Sequence, residues 1–274
     1  MVNLSQAPKS GAPRWWTNLI EPSAIIDCRA ELADRVSVGA FSVIGAGVKI
    51  DAGTVIGPHV VIKGPTSIGK DNRIYQFCSI GEDPQDKKYA SEITRLEIGD
   101  RNTIREFASM HRGTVQDHGV THIGSDNLFM AYTHVAHDCV IGDHVIMANG
   151  ASLAGHVRLN SHAILGGFTL VHQFTQIGQY SFAAMGSAIT QDIPPFVMVG
   201  GKPTKPHGIN SVGMERNGIS AEDIRLIRKA YKIIYKMNLR LEDAIDQMED
   251  LAGDSKELSD MVSFLRNVTR GILR

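Results

Sequence analysis

The sequence predicts a mainly β fold: a parallel β-helix of hexapeptide repeats followed by a C-terminal α-helical domain. Three observations predict it. An aliphatic residue recurs every six positions, glycine often follows that beat, and the periodicity turns helical towards the C-terminus. Stepping by six from Ile20 meets an aliphatic residue eleven times running, ending at Ile80. The beat returns at Ile98, Ile104 and Met110, changes register once, and runs again from Ile123 to Ile189.

A period of six matches neither a helix nor simple strand alternation. It fits a short strand and a turn, with the beat residue and the residue two before it both facing inward. The positions two before the beat are mostly small or β-branched, as at Ser42, Thr54, Val60, Thr66 and Cys78. Three such segments close one triangular coil, so residues eighteen apart stack. A β-sandwich would instead show irregular strand spacing with polar alternation.

Two stretches interrupt the beat. Residues 81–97, "GEDPQDKKYASEITRLE", are polar and are expected to form a loop thrown outward from the prism; residues 111–122, "HRGTVQDHGVTH", contain the register shift. Loops on a rigid scaffold are common carriers of function. Beyond Pro194-Pro195 the pattern changes. Ile224, Ile227, Tyr231 and Ile234 fall at helical spacing, and Ser220 with Asp223 resembles a capping box. Helical stretches at about 241–252 and 255–270 complete a small domain able to cap the open end of a solenoid. The expected organisation is an N-terminal extension over 1–19 bearing Trp15-Trp16, a β-helix over 20–195, and a linker with a helical domain over 196–274.

Composition narrows the function classes. A formal net charge of −1 over 274 residues gives no global case for nucleic-acid binding. Three unclustered cysteines argue against a disulfide framework and for a reducing compartment. No apolar run reaches the length of a membrane span, and the N-terminus lacks a signal-peptide core. A cytoplasmic location is expected.

Eighteen-residue coils bring distant polar residues together. His137, Gly155 and Gln173 form one column, and Asp138, His156 and Phe174 form the next. His134 and His172 lie close by, and the whole set spans about 10 Å along the axis. His134 precedes a beat residue and so points outward; His137 and Gln173 follow one by two and sit at a corner. The cluster is therefore expected on the outside of the prism. Imidazole accepts a proton near neutral pH, Asp138 can orient it, and a glycine one coil away can offer its N–H to a developing oxyanion. No G-x-S-x-G elbow is present, and Cys139 reads as an inward-facing filler. Direct attack by a substrate hydroxyl is then the simpler scheme. Zinc held by three histidines, as in hexapeptide proteins of the carbonic anhydrase type, is an alternative on the same fold. A non-catalytic scaffold would leave the ionisable column unexplained.

The segments "GEDPQDKKYASEITRLEIGDRNTIREFASMHRGTVQ", "THVAHDCVIGDH", "ASLAGHV", "VHQF" and "QDIPPFVMVGGKPTKPHGIN" resemble those of the bacterial UDP-N-acetylglucosamine acyltransferases, which begin lipid A biosynthesis. The resemblance spans about residues 20–274. It implies a left-handed β-helix, a homotrimer with sites in the clefts between subunits, and no cofactor. It also implies transfer of an (R)-3-hydroxyacyl chain from acyl carrier protein to the 3-hydroxyl of UDP-N-acetylglucosamine. By matching motifs, His137 is the general base, Asp138 its orienting partner, and Gly155 the oxyanion donor. Asp86, Lys88, His134, His156, His172 and Gln173 are implied to line the substrate and acyl site, with Asn210 and Arg216 nearer the nucleotide.

Departures from the family pattern are Val212, where glutamate is common, and Arg216-Asn217-Gly218, where a basic pair precedes the glycine. A 3-amino sugar nucleotide, giving an N-acyl product, therefore stays open. Met185 stands where some members carry glycine at the floor of the acyl cleft, and is expected either to shorten the accepted chain or simply to fill a gap. The carrier is acidic; Arg225, Lys229, Lys232, Lys236 and Arg240 recur on one helix face and could dock it.

Overall fold

The computed structural model describes residues 20–274, and the 1–19 extension with Trp15-Trp16 lies outside the described residues. Three mostly parallel sheets form the walls of a prism. The first wall has nine strands, from Ile25–Ile26 to Ala188–Ile189. The second has eight, from Glu31–Leu32 to Gln176–Ile177. The third, beginning at Ser37–Val38, has ten. The architecture is a left-handed parallel β-helix, its parallel coils predicted by the hexapeptide beat and its hand implied by the family resemblance. Val135 pairs with Leu153, Leu153 with Val171, and Val171 with Ile189, so eighteen residues make one coil.

Burial follows the beat. Val38, Ile56, Ile80, Val135, Leu153, Leu165 and Ile177 are almost completely enclosed. So are the residues two before the beat, Ser42, Thr54, Val60 and Cys78. Ser42 is tolerated inside because its Oγ donates to Gly57 O at 2.8 Å and accepts from Val60 N at 3.1 Å. Cys139 is fully buried, and burial pushes its thiol up to about 12, which suits a filler and not a nucleophile.

The corners carry a recurring backbone cost. Phe41, His59, Phe77, Phe107 and Tyr132 all adopt left-handed φ values between 56° and 63°. Such conformations cost side-chain-bearing residues on the order of 1 kcal/mol each. Here the rings stack on one another with centroids 4.8–5.3 Å apart, and this ladder offsets the cost.

Both interruptions are excursions from the prism. Ile80 pairs with Met110 and Met110 with Val135, separations of thirty and twenty-five residues in place of eighteen. The first excursion is shorter than the polar stretch 81–97 suggested. Ser79–Glu82 and Arg95–Ile98 remain wall strands, and only 83–94 leave. Arg95 and Glu97 are polar because they face solvent and pair at 2.6 Å, while Leu96 and Ile98 between them face the core. The second excursion covers 112–119, between Ser109–His111 and Val120–Ile123.

Past Pro195 the third wall gains Val197–Gly200, parallel to Phe182–Ala183, and Lys205–Ile209, which folds back antiparallel. Four helices follow: α1 Ser211–Arg216, α2 Ala221–Lys236, α3 Leu241–Ala252 and α4 Lys256–Arg266. Ser220 caps α2 by accepting from Asp223 N at 3.0 Å, and Ile224, Ile227, Tyr231 and Ile234 are its buried face. The six residues of α1 are too few to show a period in the sequence. No helix among the described residues is long and apolar enough to cross a membrane.

Candidate active site

At the corner between the first and second walls, the coils set His137, Gly155 and Gln173 above one another. His156 N donates to His137 O at 3.0 Å and Phe174 N to Gly155 O at 3.1 Å. Asp138, His156 and Phe174 occupy the left-handed corner position, with φ of 59°, 62° and 63°. His156 and Phe174 stack with centroids 4.4 Å apart, continuing the ring ladder seen at other corners. Asp138 breaks that ladder with a carboxylate.

The carboxylate is buried: Asp138 is only 4% exposed. It lies on the outer side of the corner, as the spacing predicts, but is covered and not open to solvent. The second excursion folds over the corner, and Thr114 donates to Asp138 through its N–H at 2.8 Å and its Oγ1 at 2.6 Å. Asp138 N in turn donates to Thr121 Oγ1 at 2.8 Å. Burial alone would raise the Asp138 pKa, but the hydrogen bonds from His137 and Thr114 outweigh it and hold the carboxyl below its ordinary value. An ionised carboxylate only accepts, so the 2.8 Å contact to His137 Nδ1 places the proton on that nitrogen. In the neutral ring, His137 Nε2 then keeps the lone pair.

Gly155 lies directly against this ring. A Cβ at Gly155 would fall 2.5 Å from His137 Cε1 and 2.8 Å from Nε2, so the position must be glycine for reasons of space. The flanking Ala154 N–H and His156 N–H are bound to Val171 O and His137 O, whereas the Gly155 N–H takes no part in that ladder.

Two adjoining cavities meet at His137. One, of about 630 Å³, is polar: Gln85, Asp86 and Lys88 enter it from the first excursion, Gln116 and Asp117 from the second, and His156 and Gln173 from the prism. The other, of about 460 Å³, runs along the first wall past Ala136, Ser152, Leu153, Ala154, Leu170 and Val171, with His134 and Gln173 at its edge. A polar acceptor and an apolar chain could thus meet at one imidazole. Lys88 N donates to Asp86 Oδ1 at 2.9 Å, fixing the tip of the first excursion. Arg112 ties that excursion to the prism, donating to Gly81 O at 2.7 Å, Gly64 O at 3.1 Å and Tyr89 Oη at 3.1 Å, and pairing with Asp83. Burial, reinforced by His111 and His137, pulls the His134 pKa down to about 4, so this imidazole is neutral; its Nδ1 lies 2.8 Å from Ser109 Oγ.

Other predicted site residues lie elsewhere in the chain. His172 is exposed, its Nδ1 3.1 Å from Gln173 O, and lines neither cavity. Asn210 caps α1, accepting from Gly213 N at 3.1 Å, and donates to Tyr180 O at 2.9 Å, which puts it at the corner between the second and third walls. Arg216 closes the last turn of α1. Met185, 79% exposed, lies at the corner between the third and first walls, one coil above Gly167. Sequence reasoning missed Arg112, Thr114, Asp117 and Thr121. Their one signal was membership of the stretch where the beat changes register.

His137, Asp138 and His156 are the one set of possible metal ligands among the described residues, their atoms lying within 4.8 Å of one another. The Nδ1 atoms are committed, His137 to Asp138, His156 to Asp117 at 2.9 Å and His134 to Ser109, which leaves one ring nitrogen each on His137 and His156 beside the Asp138 carboxylate. Zinc of the carbonic anhydrase type needs three converging nitrogens at about 2.0–2.1 Å. The set offers two imidazoles and a carboxylate, not the three histidines of that type.

Comparison with known proteins agrees with the geometry. A family profile described as UDP N-acetylglucosamine O-acyltransferase, domain 2, matches residues 192–273, and a bacterial transferase hexapeptide profile matches 29–64 and 121–155. The chain is 56% identical over 255 residues to the acyl-(acyl-carrier-protein)–UDP-N-acetylglucosamine O-acyltransferase of Halorhodospira halophila, covering 93% of this chain and 99% of that one. It is 53% identical to the enzyme of the same name from Herminiimonas arsenicoxydans, covering 94% and 100%. Among solved structures, LpxA from Acinetobacter baumannii superposes with a TM-score of 0.92 at 47% identity, covering 93% of this chain and 100% of that one. The chain belongs to the acyl-(acyl-carrier-protein)–UDP-N-acetylglucosamine O-acyltransferase family.

Proposed function

We propose that the protein moves an (R)-3-hydroxyacyl chain from acyl carrier protein to the 3-hydroxyl of UDP-N-acetylglucosamine, the first step of lipid A biosynthesis. The observation that carries this reading is the His137–Asp138 couple, placed over Gly155 where a polar cavity meets an apolar one. His137 Nε2 takes the acceptor hydroxyl proton as the sugar oxygen attacks the thioester carbonyl. The Gly155 N–H meets the oxyanion. Collapse of the adduct breaks the C–S bond, and the carrier thiol leaves with the proton held by His137. Asp138 fixes the starting tautomer and stabilises the imidazolium. His134, Gln173, Asp86 and Lys88 then contact substrate, while His172, exposed beside Gln173, lines neither cavity.

Asn210 and Arg216 lie at a different corner from His137 in the same chain. A homotrimer would bring that edge of one subunit against the His137 edge of the next. The exposed basic face of α2, with Arg225, Lys229, Lys232 and Lys236, suits an acidic carrier. The three cysteines are free, in keeping with a cytoplasmic setting. Several close relatives are named O-acyltransferases, which favours the hydroxyl over the 3-amino acceptor. Mass spectrometry of the product from UDP-N-acetylglucosamine and a panel of hydroxyacyl carriers tests the reading. A base-labile ester is expected; no product, or acylation of the 3-amino analogue alone, contradicts it.

A further inference from the structure

The corner holds a second histidine–carboxylate couple, which the reaction scheme above leaves unused. His156 Nδ1 lies 2.9 Å from Asp117 Oδ2. The imidazole is stacked on Phe174 at 4.4 Å with an interplanar angle of 11°, and it meets the His137 ring edge-on at 5.1 Å and 88°. Its other nitrogen, Nε2, is 3.8 Å from Asp138 Oδ2, beyond hydrogen-bond reach. Asp117 and His156 both line the polar cavity. The two couples share one turn. Thr114, which holds Asp138, accepts at its carbonyl from Asp117 N at 3.3 Å and from Gly119 N at 3.0 Å.

We infer that Asp117 is a positioning residue that fixes the tautomer and orientation of His156, so that His156 Nε2 is presented as an acceptor to a hydroxyl of the acceptor sugar. An ionised carboxylate can only accept, so its contact with Nδ1 obliges that nitrogen to carry the proton. The Phe174 stack fixes the ring plane, and the Asp117 bond fixes rotation within that plane. In the neutral ring what remains is a lone pair on Nε2, beside the base at His137. Two imidazoles at right angles then address neighbouring groups of one polyhydroxylated substrate: His137 takes the proton of the reacting hydroxyl, and His156 holds the molecule in register. Asp117 also faces His118 Nε2 at 3.2 Å, but His118 is largely solvent-exposed and fixes little.

The inference rests on the acyltransfer reading, and its test separates the two. Steady-state kinetics and ¹⁵N-histidine NMR are measured on the full chain with D117A, D117N, H156A and D117A/H156A. The expected result is a KM for the acceptor sugar raised about tenfold in D117A, the lower end of what losing a hydrogen bond to a charged group costs. kcat and the KM for the acyl carrier should stay within about twofold, and adding D117A to H156A should cost nothing more. Asn can either donate or accept, so D117N keeps the shape yet should let the His156 ¹⁵N shifts move towards the other tautomer. An unchanged acceptor KM in D117A overturns the proposal, as does an equal penalty in the H156A background or a His156 tautomer that D117N leaves unmoved. If the wild type transfers no acyl group, the acyltransfer reading fails, while the NMR comparison still decides the Asp117–His156 couple.

Discussion

His137 and Gly155 are in such close register that a single methyl group on the glycine would stand 2.5 Å from Cε1 of the imidazole. The base and the proposed oxyanion donor are therefore one unit: the ring can hold its place over the groove only because the residue one coil on has no side chain. Gly155→Ala should push the ring off its 2.8 Å bond to Asp138 and lower kcat about 10²-fold, the cost of misplacing a reacting group by about 1 Å. The methyl would meet a side chain at a partly open corner, so the melting temperature should change little. Activity retained in a folded variant would contradict the geometry.

Thr114 does for Asp138 what Asp138 does for His137. Thr114→Val keeps the shape and the main-chain donor but removes the 2.6 Å hydroxyl bond. Losing a donor to the ionised form raises the carboxyl's pKa, so the acid limb of the kcat/KM profile should move to higher pH. kcat/KM should fall about tenfold at neutral pH. A profile identical to wild type would show that the hydroxyl does not tune Asp138.

His134 makes stability depend on pH. The unfolded chain binds its proton below about 6.5, the folded chain only below about 4. Between those values the unfolded state carries more protons, so stability is lost as pH falls through this window. Burial lowers the His111 pKa in the same direction. His134→Gln should therefore flatten, without abolishing, the drop in urea midpoint between about pH 7 and about pH 5. An unaltered slope would contradict the assignment.

Met185 stands at the far edge of the first wall from His137, beyond the apolar cavity that passes Leu170 and Val171. A side chain at that edge would cap an acyl chain laid across the wall. Met185→Gly should shift the preferred acyl donor to longer chains in a competition assay read by mass spectrometry, whereas an unchanged length profile would make Met185 a surface gap filler.

The six-residue beat made the walls and the eighteen-residue columns legible, because inward packing allows few residue types at Val135, Leu153 and Val171. The columns made His137, Gly155, Gln173, Asp138 and His156 legible as neighbours. Thr114 and Asp117 were not. They reach the site by folding back from an excursion, and no period relates position 114 to 138 or 117 to 156. The same fold-back explains why the Asp138 carboxylate, which spacing places on the outside of the prism, is nonetheless buried. Polarity misjudged the first excursion because Arg95 and Glu97 are the outward half of a strand whose inward half is Leu96 and Ile98. Asn210 and Arg216 were singled out by motif alone, and a linear pattern does not say which corner of the prism a helix start will reach.

The most direct test of the central claim is the single-turnover rate of acyl transfer in His137→Ala beside wild type, with folding of both checked by melting. Removal of a general base that is also the proton carrier to the leaving thiol should cost about 10²–10⁴-fold with substrates still bound. A folded His137→Ala protein that transfers the chain at the wild-type rate would contradict it.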